Sequence, residues 1–232
     1  MPEQHRRICV TGGAGFIGVR LIETLLARGN EVVVLDDLSV GRRERLPDRA
    51  HLVIGDIRDT DAVCKALDGC DAVAHLAARA AIRSSFEFAV EDASINLVGT
   101  ASVLRGAIKT GTVRRFVLAS SMAVYADSNG PHSIGESHPT LPTSPYGVSK
   151  LAAERLVELM CSQAGLSGAV LRLFNTYGPG QTFSPYVGVV TIFVNDLLAG
   201  RTVTIFGDGE QCRDFVHVDD VASAFALALD QG

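Results

Sequence analysis

Six short apolar runs mark the chain as far as Asn175: RRICVT, EVVVLD, HLVIGD, DAVAHLA, RRFVLAS and GAVLRLFN. Their apolar residues are continuous rather than alternating, which is the pattern of strands covered on both faces. Between them the period lengthens to that of a helix. FIGVRLIETLLARG puts Ile17, Leu21 and Leu25 on one face and stops at Gly29-Asn30. Other clear helical stretches follow Ile95 and Pro145. This alternation predicts an α/β chain with a Rossmann-type, doubly wound parallel sheet. After Asn175 the pattern loosens into a loop rich in Gly, Pro and Tyr, a helix over VVTIFVNDLLAG, a short strand over VTIFG and a helix from near Asp219. Two units are therefore expected, residues 1–175 and a smaller, incomplete one over 176–232.

Composition narrows the field. At 232 residues and 47% hydrophobic, the chain can bury one sizeable core. A net charge of -5 with no basic run argues against a nucleic-acid partner. No apolar stretch approaches the length of a membrane span, and the polar MPEQHRR is too short for a secretory signal. The five cysteines (Cys9, Cys64, Cys70, Cys161, Cys212) are scattered, with no C-x-x-C pair. They read as reduced thiols in a cytoplasmic protein, with no metal site or disulfide framework.

The first strand runs into TGGAGFIG, where Gly12, Gly15 and Gly18 have G-x-x-G-x-x-G spacing. Glycines at a strand-to-helix junction let a pyrophosphate approach the amides at a helix N-terminus. Many such motifs are plain turns, but here Asp36 ends the second strand 18 residues past Gly18. A carboxylate there can accept both ribose hydroxyls and repels the extra phosphate of NADP, so the motif predicts NAD. Asp37 reads as a loop or cap residue. GDIRD places Asp56 near the adenine edge, with Asp59 as a helix cap. HLAA ends the fourth strand in small residues past which a cofactor can lie, and His75 reads as a packed strand-end residue.

LASSMAVY puts Ser120 and Ser121 at the carboxyl edge of the sheet, where ligands of such sheets bind. In TSPYGVSK, Ser144 can cap a helix starting at Pro145, with Tyr146 and Lys150 four residues apart on one face. A phenol is a weak base at neutral pH; a neighbouring ammonium and a nicotinamide cation would favour its phenolate.

These motifs, with NLVGT, LRLFNTYGPGQ and FGDGEQCRDFVHVDDVA, cover essentially the whole chain. Together they resemble the extended short-chain dehydrogenases/reductases, in particular the NAD-dependent sugar-nucleotide epimerases and dehydratases. The resemblance makes 1–175 an NAD-binding domain that also carries the catalytic residues, and 176–232 part of a substrate-binding region. It implies Ser121, Tyr146 and Lys150 as catalytic residues. It implies cofactor contacts from Gly12, Gly15, Phe16, Ile17, Gly18, Asp36, Asp56, Ile57, Ala77, Asn96, Tyr146 and Lys150. Substrate contacts would come from Ser85, Ser121, Tyr146, Asn175 and Arg213, the last two gripping the diphosphate; Arg213 could instead simply pair with Asp214.

Within the family, dehydratases typically follow the strand-end Ser/Thr with an acid. Here Met122 and Ala123 stand there, and neither transfers protons. What remains is similar to UDP-glucose 4-epimerases, whose loop often reads much like SPYVGVVTIF (Ser184 to Phe193). The implied activity is inversion at C4 of a nucleotide sugar through a 4-keto intermediate, with NAD as cofactor and a UDP-sugar as substrate. A nucleotide-sugar 4-ketoreductase or oxidoreductase, or a silent NAD-binding scaffold on the same fold, stays open. The family also implies a homodimer through a four-helix bundle, with Val103, Leu104 and Ala107 on one helix and Ala152, Leu156 and Leu159 on the other as candidate apolar stripes. Family members usually continue past the position of Gly232, so a truncated chain is expected. Arg20 and Ala126 depart from the residues usual at their positions.

Overall fold

The computed structural model describes residues 5–127, 133–182 and 188–231. Six strands form one parallel sheet: β1 (Arg7–Thr11), β2 (Glu31–Asp36), β3 (His51–Ile54), β4 (Ala72–His75), β5 (Arg115–Ser121) and β6 (Ser167–Leu173). Their spatial order is β3-β2-β1-β4-β5-β6. The order reverses between β1 and β4, and that reversal opens the crevice where ligands of such sheets sit.

The continuous apolar runs have the cause expected of them: each face of the sheet carries its own core. On one face α2 (Thr60–Leu67), α4 (Thr100–Thr110) and α5 (Pro145–Ala164) cover Cys9, Val33, Leu35, Phe116 and Leu118. On the other, α1 (Phe16–Ala27) and the last described helix, Val218–Asp230, cover Ile8, Val10, Val34, Ala74 and Val117. Arg20 of α1 forms ion pairs with Glu23 and with Asp219 of that last helix, which gives this departure a role: it ties two helices of one layer together. Ala126 makes two backbone hydrogen bonds, its amide donating to the Pro139 carbonyl and its carbonyl accepting from His138 Nε2 (3.2 Å), and neither gives a reason for its identity.

The chain after β4 reaches α4 through α3 (Ala89–Ala93) and a π-helical turn over Ser94–Gly99. Two short strands, β7 (Asn175–Tyr177) and β8 (Phe215–His217), pair in parallel beyond the main sheet. Between them runs α6 (Val189–Leu198); the helix of Val218–Asp230 is α7. The expected strand over VTIFG is not formed. Residues 201–206 carry no regular structure, and Ile205 and Phe206 are exposed. Apolar β-branched residues alone do not make a strand without an edge to pair with. Of the SPYVGVVTIF loop, residues 184–187 lie outside the described residues.

The stripes expected to face a partner divide differently. Val103, Leu104 and Ala107 are wholly buried against the sheet and cannot meet a second copy. Leu156 packs partly on the same core, while Leu159 is exposed. Facing outward between α3, the π-helical turn and α5 there is instead a groove lined by Ala89, Ala93, Leu97, Val148 and Ala152.

Candidate active site

The glycines of TGGAGFIG are not equivalent. Gly12 sits at φ +68°, and a Cβ on it would come within 2.6 Å of the Ala77 amide nitrogen. A Cβ on Gly18 would strike the Gly12 carbonyl and the Gly13 backbone at 2.5 Å. Both are demanded by the packing of β1, β4 and α1. Gly15, the N-cap of α1, has ordinary φ and only the Gly12 carbonyl nearby, at 3.2 Å. No side chain caps this helix. Its first-turn amides at Phe16, Ile17 and Gly18 therefore face an open cradle that a Cβ at Gly15 would begin to fill, the chemistry a pyrophosphate needs.

Asp36 is buried at the end of β2. Its carboxylate accepts the Ala14 amide (2.9 Å) and the Leu38 amide (2.8 Å). Burial raises its pKa, and the two amides hold it back. The second bond draws Leu38 into the left-handed region, φ +59°. Asp56 pairs with Arg58 (Nε–Oδ1, 2.9 Å), whose guanidinium lowers its pKa. Ile57 is buried beneath Gly99.

His75 is wholly buried, and burial pushes its pKa down to about 3. Its hydrogen bonds define a relay. The Thr100 hydroxyl donates to the Asn96 carbonyl (2.6 Å), so it accepts from His75 Nε2 (2.9 Å). Nδ1 is then the acceptor for the Thr11 hydroxyl (2.6 Å), whose oxygen in turn takes the Ala77 amide (3.3 Å). The imidazole is thus neutral and joins the ends of β1 and β4 to the first residue of α4, as a packed strand-end residue. Thr11 and Thr100 carried no signal in the sequence.

Asn96 holds the backbone of Arg79 at both ends, its Oδ1 accepting from the amide (2.9 Å) and its Nδ2 donating to the carbonyl (3.1 Å). Nδ2 also donates to the Ser149 hydroxyl (3.0 Å), which donates to the Tyr146 carbonyl. Its two donors are therefore spent on bracing the loop after β4 against α5. Ser85 is buried, with its hydroxyl donating to the Ile82 carbonyl (2.7 Å).

Ser121 ends β5, and its hydroxyl accepts the Ala123 amide (3.2 Å). Ser144 caps α5 by accepting the Gly147 amide, with Pro145 in the first turn, as the TSPYG pattern implies. Gly147 has no room for a side chain, since a Cβ would meet the Ala123 carbonyl at 2.2 Å. That contact seats the start of α5 on the short turn that follows β5, with Tyr146 beside Ser121. Tyr146 and Lys150 are both buried. In the free protein the phenol is less acidic than usual: burial and the Asp92 carboxylate raise its pKa, and Ser121 opposes them. The lowered phenol pKa expected from the sequence is thus not a property of the free chain. Lys150 is pushed down to about 8 by burial, with Glu154 opposing. Asp92 is itself buried and paired with Arg79 at 2.9 Å.

Asn175 opens β7, and its side-chain amide donates to the Asp214 carbonyl (2.8 Å) across to the chain leading into β8. Arg213 is exposed and donates to the Cys212 carbonyl (2.7 Å). No ion pair with Asp214 is found among the described residues. Asn175 thus opens β7, while Arg213 lies two residues before its partner strand β8, and each side chain is engaged by nearby backbone. Among the described residues no metal-ligand cluster occurs, and no helix is long and apolar enough to cross a membrane.

The model of the NAD dependent epimerase/dehydratase family matches residues 8–232. The UDP-glucose 4-epimerase of Mycolicibacterium smegmatis is 40% identical over 233 residues, covering 96% of this chain and 72% of its own. Among solved structures, the Thermus thermophilus UDP-glucose 4-epimerase in complex with NAD is 39% identical, with a TM-score of 0.89, over 96% of this chain and 74% of its own. The Thermotoga maritima UDP-glucose 4-epimerase with UDP-glucose is 38% identical, with a TM-score of 0.92, over 97% and 74%. The similarity extends to other reactions: a UDP-N-acetyl-alpha-D-glucosaminuronate decarboxylase of Bacillus cytotoxicus is 32% identical over 97% of this chain and 72% of its own.

Proposed function

The chain belongs to the NAD dependent epimerase/dehydratase family, and from that premise we propose that it inverts the C4 configuration of a nucleotide sugar, with a UDP-hexose as substrate. The observation that carries this reading is the seating of Tyr146 against Ser121 through the Gly147–Ala123 contact, beside the buried Lys150. Bound NAD supplies the hydride acceptor and donor. The groups that would hold it are the open Gly15 cradle, the Asp36 carboxylate at the ribose and Lys150 at the nicotinamide ribose.

The chain's own residues handle protons and position. Tyr146 acts as its phenolate, taking the proton of the C4 hydroxyl, and as the resulting phenol returns it from the same oxygen. The Ser121 hydroxyl holds the reacting sugar oxygen. Lys150, charged and stripped of water, stabilises the phenolate. Asn175 and Arg213 grip the diphosphate, so that the sugar can turn while its other end stays fixed. Met122 and Ala123 offer no acid next to Ser121, which favours epimerisation over the eliminations other family members carry out.

Residues 1–175 form the cofactor and catalytic unit in this reading, and 176–232 contribute to the substrate side. The groove of Ala89, Ala93, Leu97, Val148 and Ala152 is the surface for a second copy. Five cysteines without a disulfide fit a cytoplasmic setting. Incubation with UDP-glucose, UDP-galactose and their N-acetylated and dTDP counterparts, followed by NMR of the anomeric protons, tests the reaction. A 4-epimer appearing without added reductant is the expected result. Net oxidation or reduction of the sugar would instead identify a one-way oxidoreductase.

A further inference from the structure

One face of α5 carries Tyr146, Lys150 and Glu154 at successive spacings of four, so they stack one turn above another. Glu154 is buried, yet it lies outside every motif that reads as a cofactor or substrate contact. Its carboxylate is held at three points. Arg172 of β6 grips it with two nitrogens, Nε to Oε1 at 3.0 Å and Nη2 to Oε2 at 2.7 Å. The Ser120 hydroxyl of β5 donates to Oε1. Ser120 and Arg172 are direct partners in the register of the parallel strands. One carboxylate therefore pins the carboxyl ends of two neighbouring strands to the helix, one residue before Ser121. The guanidinium of Arg172 is fixed in turn over the Tyr125 ring, 4.7 Å from its centroid.

We propose that Glu154 is a positioning residue for Lys150: its fixed negative charge, one helical turn away, holds the buried ammonium in its charged form, and Arg172 sets how much of that charge Lys150 feels. The placement rests on the reading of Lys150 as the partner of the Tyr146 phenolate. Among the described residues no hydrogen-bond or ion-pair partner is found for Lys150, so its charge is balanced through space rather than by contact. A group left at such depth without an anion nearby sheds its proton.

The other ionisable neighbours do not take over this role. His75 of β4 is neutral. Asp92 of α3 is engaged by Arg79 and acts on Tyr146. On α5 itself Tyr146 is uncharged in the free protein. On β6 Arg172 is the one ionisable residue, and it is bonded to Glu154. Glu154 accordingly opposes the desolvation that brings Lys150 down to about 8. Three hydrogen bonds fix the carboxylate in place one turn from Lys150.

The chain has only three lysines, and Lys65 and Lys109 are exposed. Carbon-13 labelling of lysine Cε therefore lets Lys150 be titrated by NMR in the free protein. In Glu154→Gln the Lys150 titration should move to lower pH by at least half a unit, because an anion is lost and Arg172 is left uncompensated. In Arg172→Met it should move to higher pH, because the anion is no longer offset. The alkaline limb of the pH–rate profile should move in the same two directions, with kcat changed more than KM. A purely structural brace would lower stability in both variants and move neither titration. Lys150 titrating at the wild-type pH in both variants, or in Arg172→Met alone should Glu154→Gln not fold, would overturn the proposal. Opposite shifts in a protein that epimerises no nucleotide sugar would refute the assigned reaction and leave this role of Glu154 intact.

Discussion

Gly12 and Ala77 approach so closely that no side chain fits between them: a Cβ on Gly12 would stand 2.6 Å from the Ala77 amide nitrogen. The first glycine of the motif is thus required by the junction of β1 with the chain after β4, before any ligand is considered. A Cβ on Gly15 would meet only the Gly12 carbonyl, at 3.2 Å, so the fold itself asks much less of this position. The two can be separated by experiment. Gly12→Ala, strained at φ +68° and clashing with backbone, should lower stability by about 2–4 kcal/mol in urea unfolding. Gly15→Ala should stay within about 1 kcal/mol of wild type. Its NAD affinity, measured by calorimetry, should nonetheless fall at least tenfold. Equal NAD affinity in Gly15→Ala and wild type would show that the cradle is not the pyrophosphate site.

In the proposed reading Asp36 meets the adenosine ribose and so sets the choice of cofactor. A second negative charge about 4 Å away costs about 4 kcal/mol at the effective dielectric of a partly exposed site. NADP should accordingly bind at least a hundredfold more weakly than NAD. Because the Asp36 carboxylate also ties down the Ala14 and Leu38 amides, Asp36→Asn should weaken NAD binding while narrowing the gap to NADP. Calorimetric titration with both dinucleotides checks this, and matched affinities in the wild type would contradict it.

Tyr146→Phe keeps the ring that packs at the start of α5 and removes the hydroxyl. Turnover should drop by about 10²–10⁴ with the fold and NAD affinity retained. Stopped assays by NMR on the accepted nucleotide sugar read the rate. Near-complete retention of turnover would exclude the phenol as the proton carrier.

The neutral, buried His75 makes stability depend on pH. Its folded pKa, about 3, lies below its ordinary 6.5, so the unfolded chain takes up a proton that the folded chain refuses. The unfolded state is therefore favoured as pH falls below about 6.5, by about 1.4 kcal/mol per pH unit. Denaturant unfolding at pH 6.5 and pH 5 should show a loss of about 2 kcal/mol. His75→Gln, less stable at neutral pH because the Thr11–His75–Thr100 relay is broken, should show a correspondingly smaller loss between the same two points. An unchanged slope in the variant would assign the acid sensitivity to another group.

If the α3–α5 groove meets a second copy, a charge in it will separate the two. Val148 is exposed in the single chain, so Val148→Glu costs a monomer little. Light scattering should give a dimer for the wild type and a monomer for Val148→Glu. A wild-type monomer at high concentration would refute the assembly.

Much of this molecule is written locally. Valine-rich runs specify strands buried on both faces, Ser144-Pro145 starts α5, Asp59 caps α2, and Tyr146 and Lys150 are set four apart; each follows from neighbours within a turn or a strand and is legible without a structure. The cofactor motif is legible for the same reason, because glycine spacing and a strand-end acid are local features. What the sequence cannot express is which distant groups meet. VTIFG has strand composition, yet it pairs with no strand among the described residues. Val103, Leu104 and Ala107 form an apolar stripe, but only the packing of α4 on the sheet decides that it faces inward. The relay through His75 joins residues 25 and 64 positions apart, and the clamp on Glu154 joins residues 18 and 34 apart. Hydrogen-bond partners and charge balance in a buried site depend on strand register and helix seating, set by the whole core at once, so tertiary structure decides that Ser120, and not its neighbour Ser121, braces Glu154.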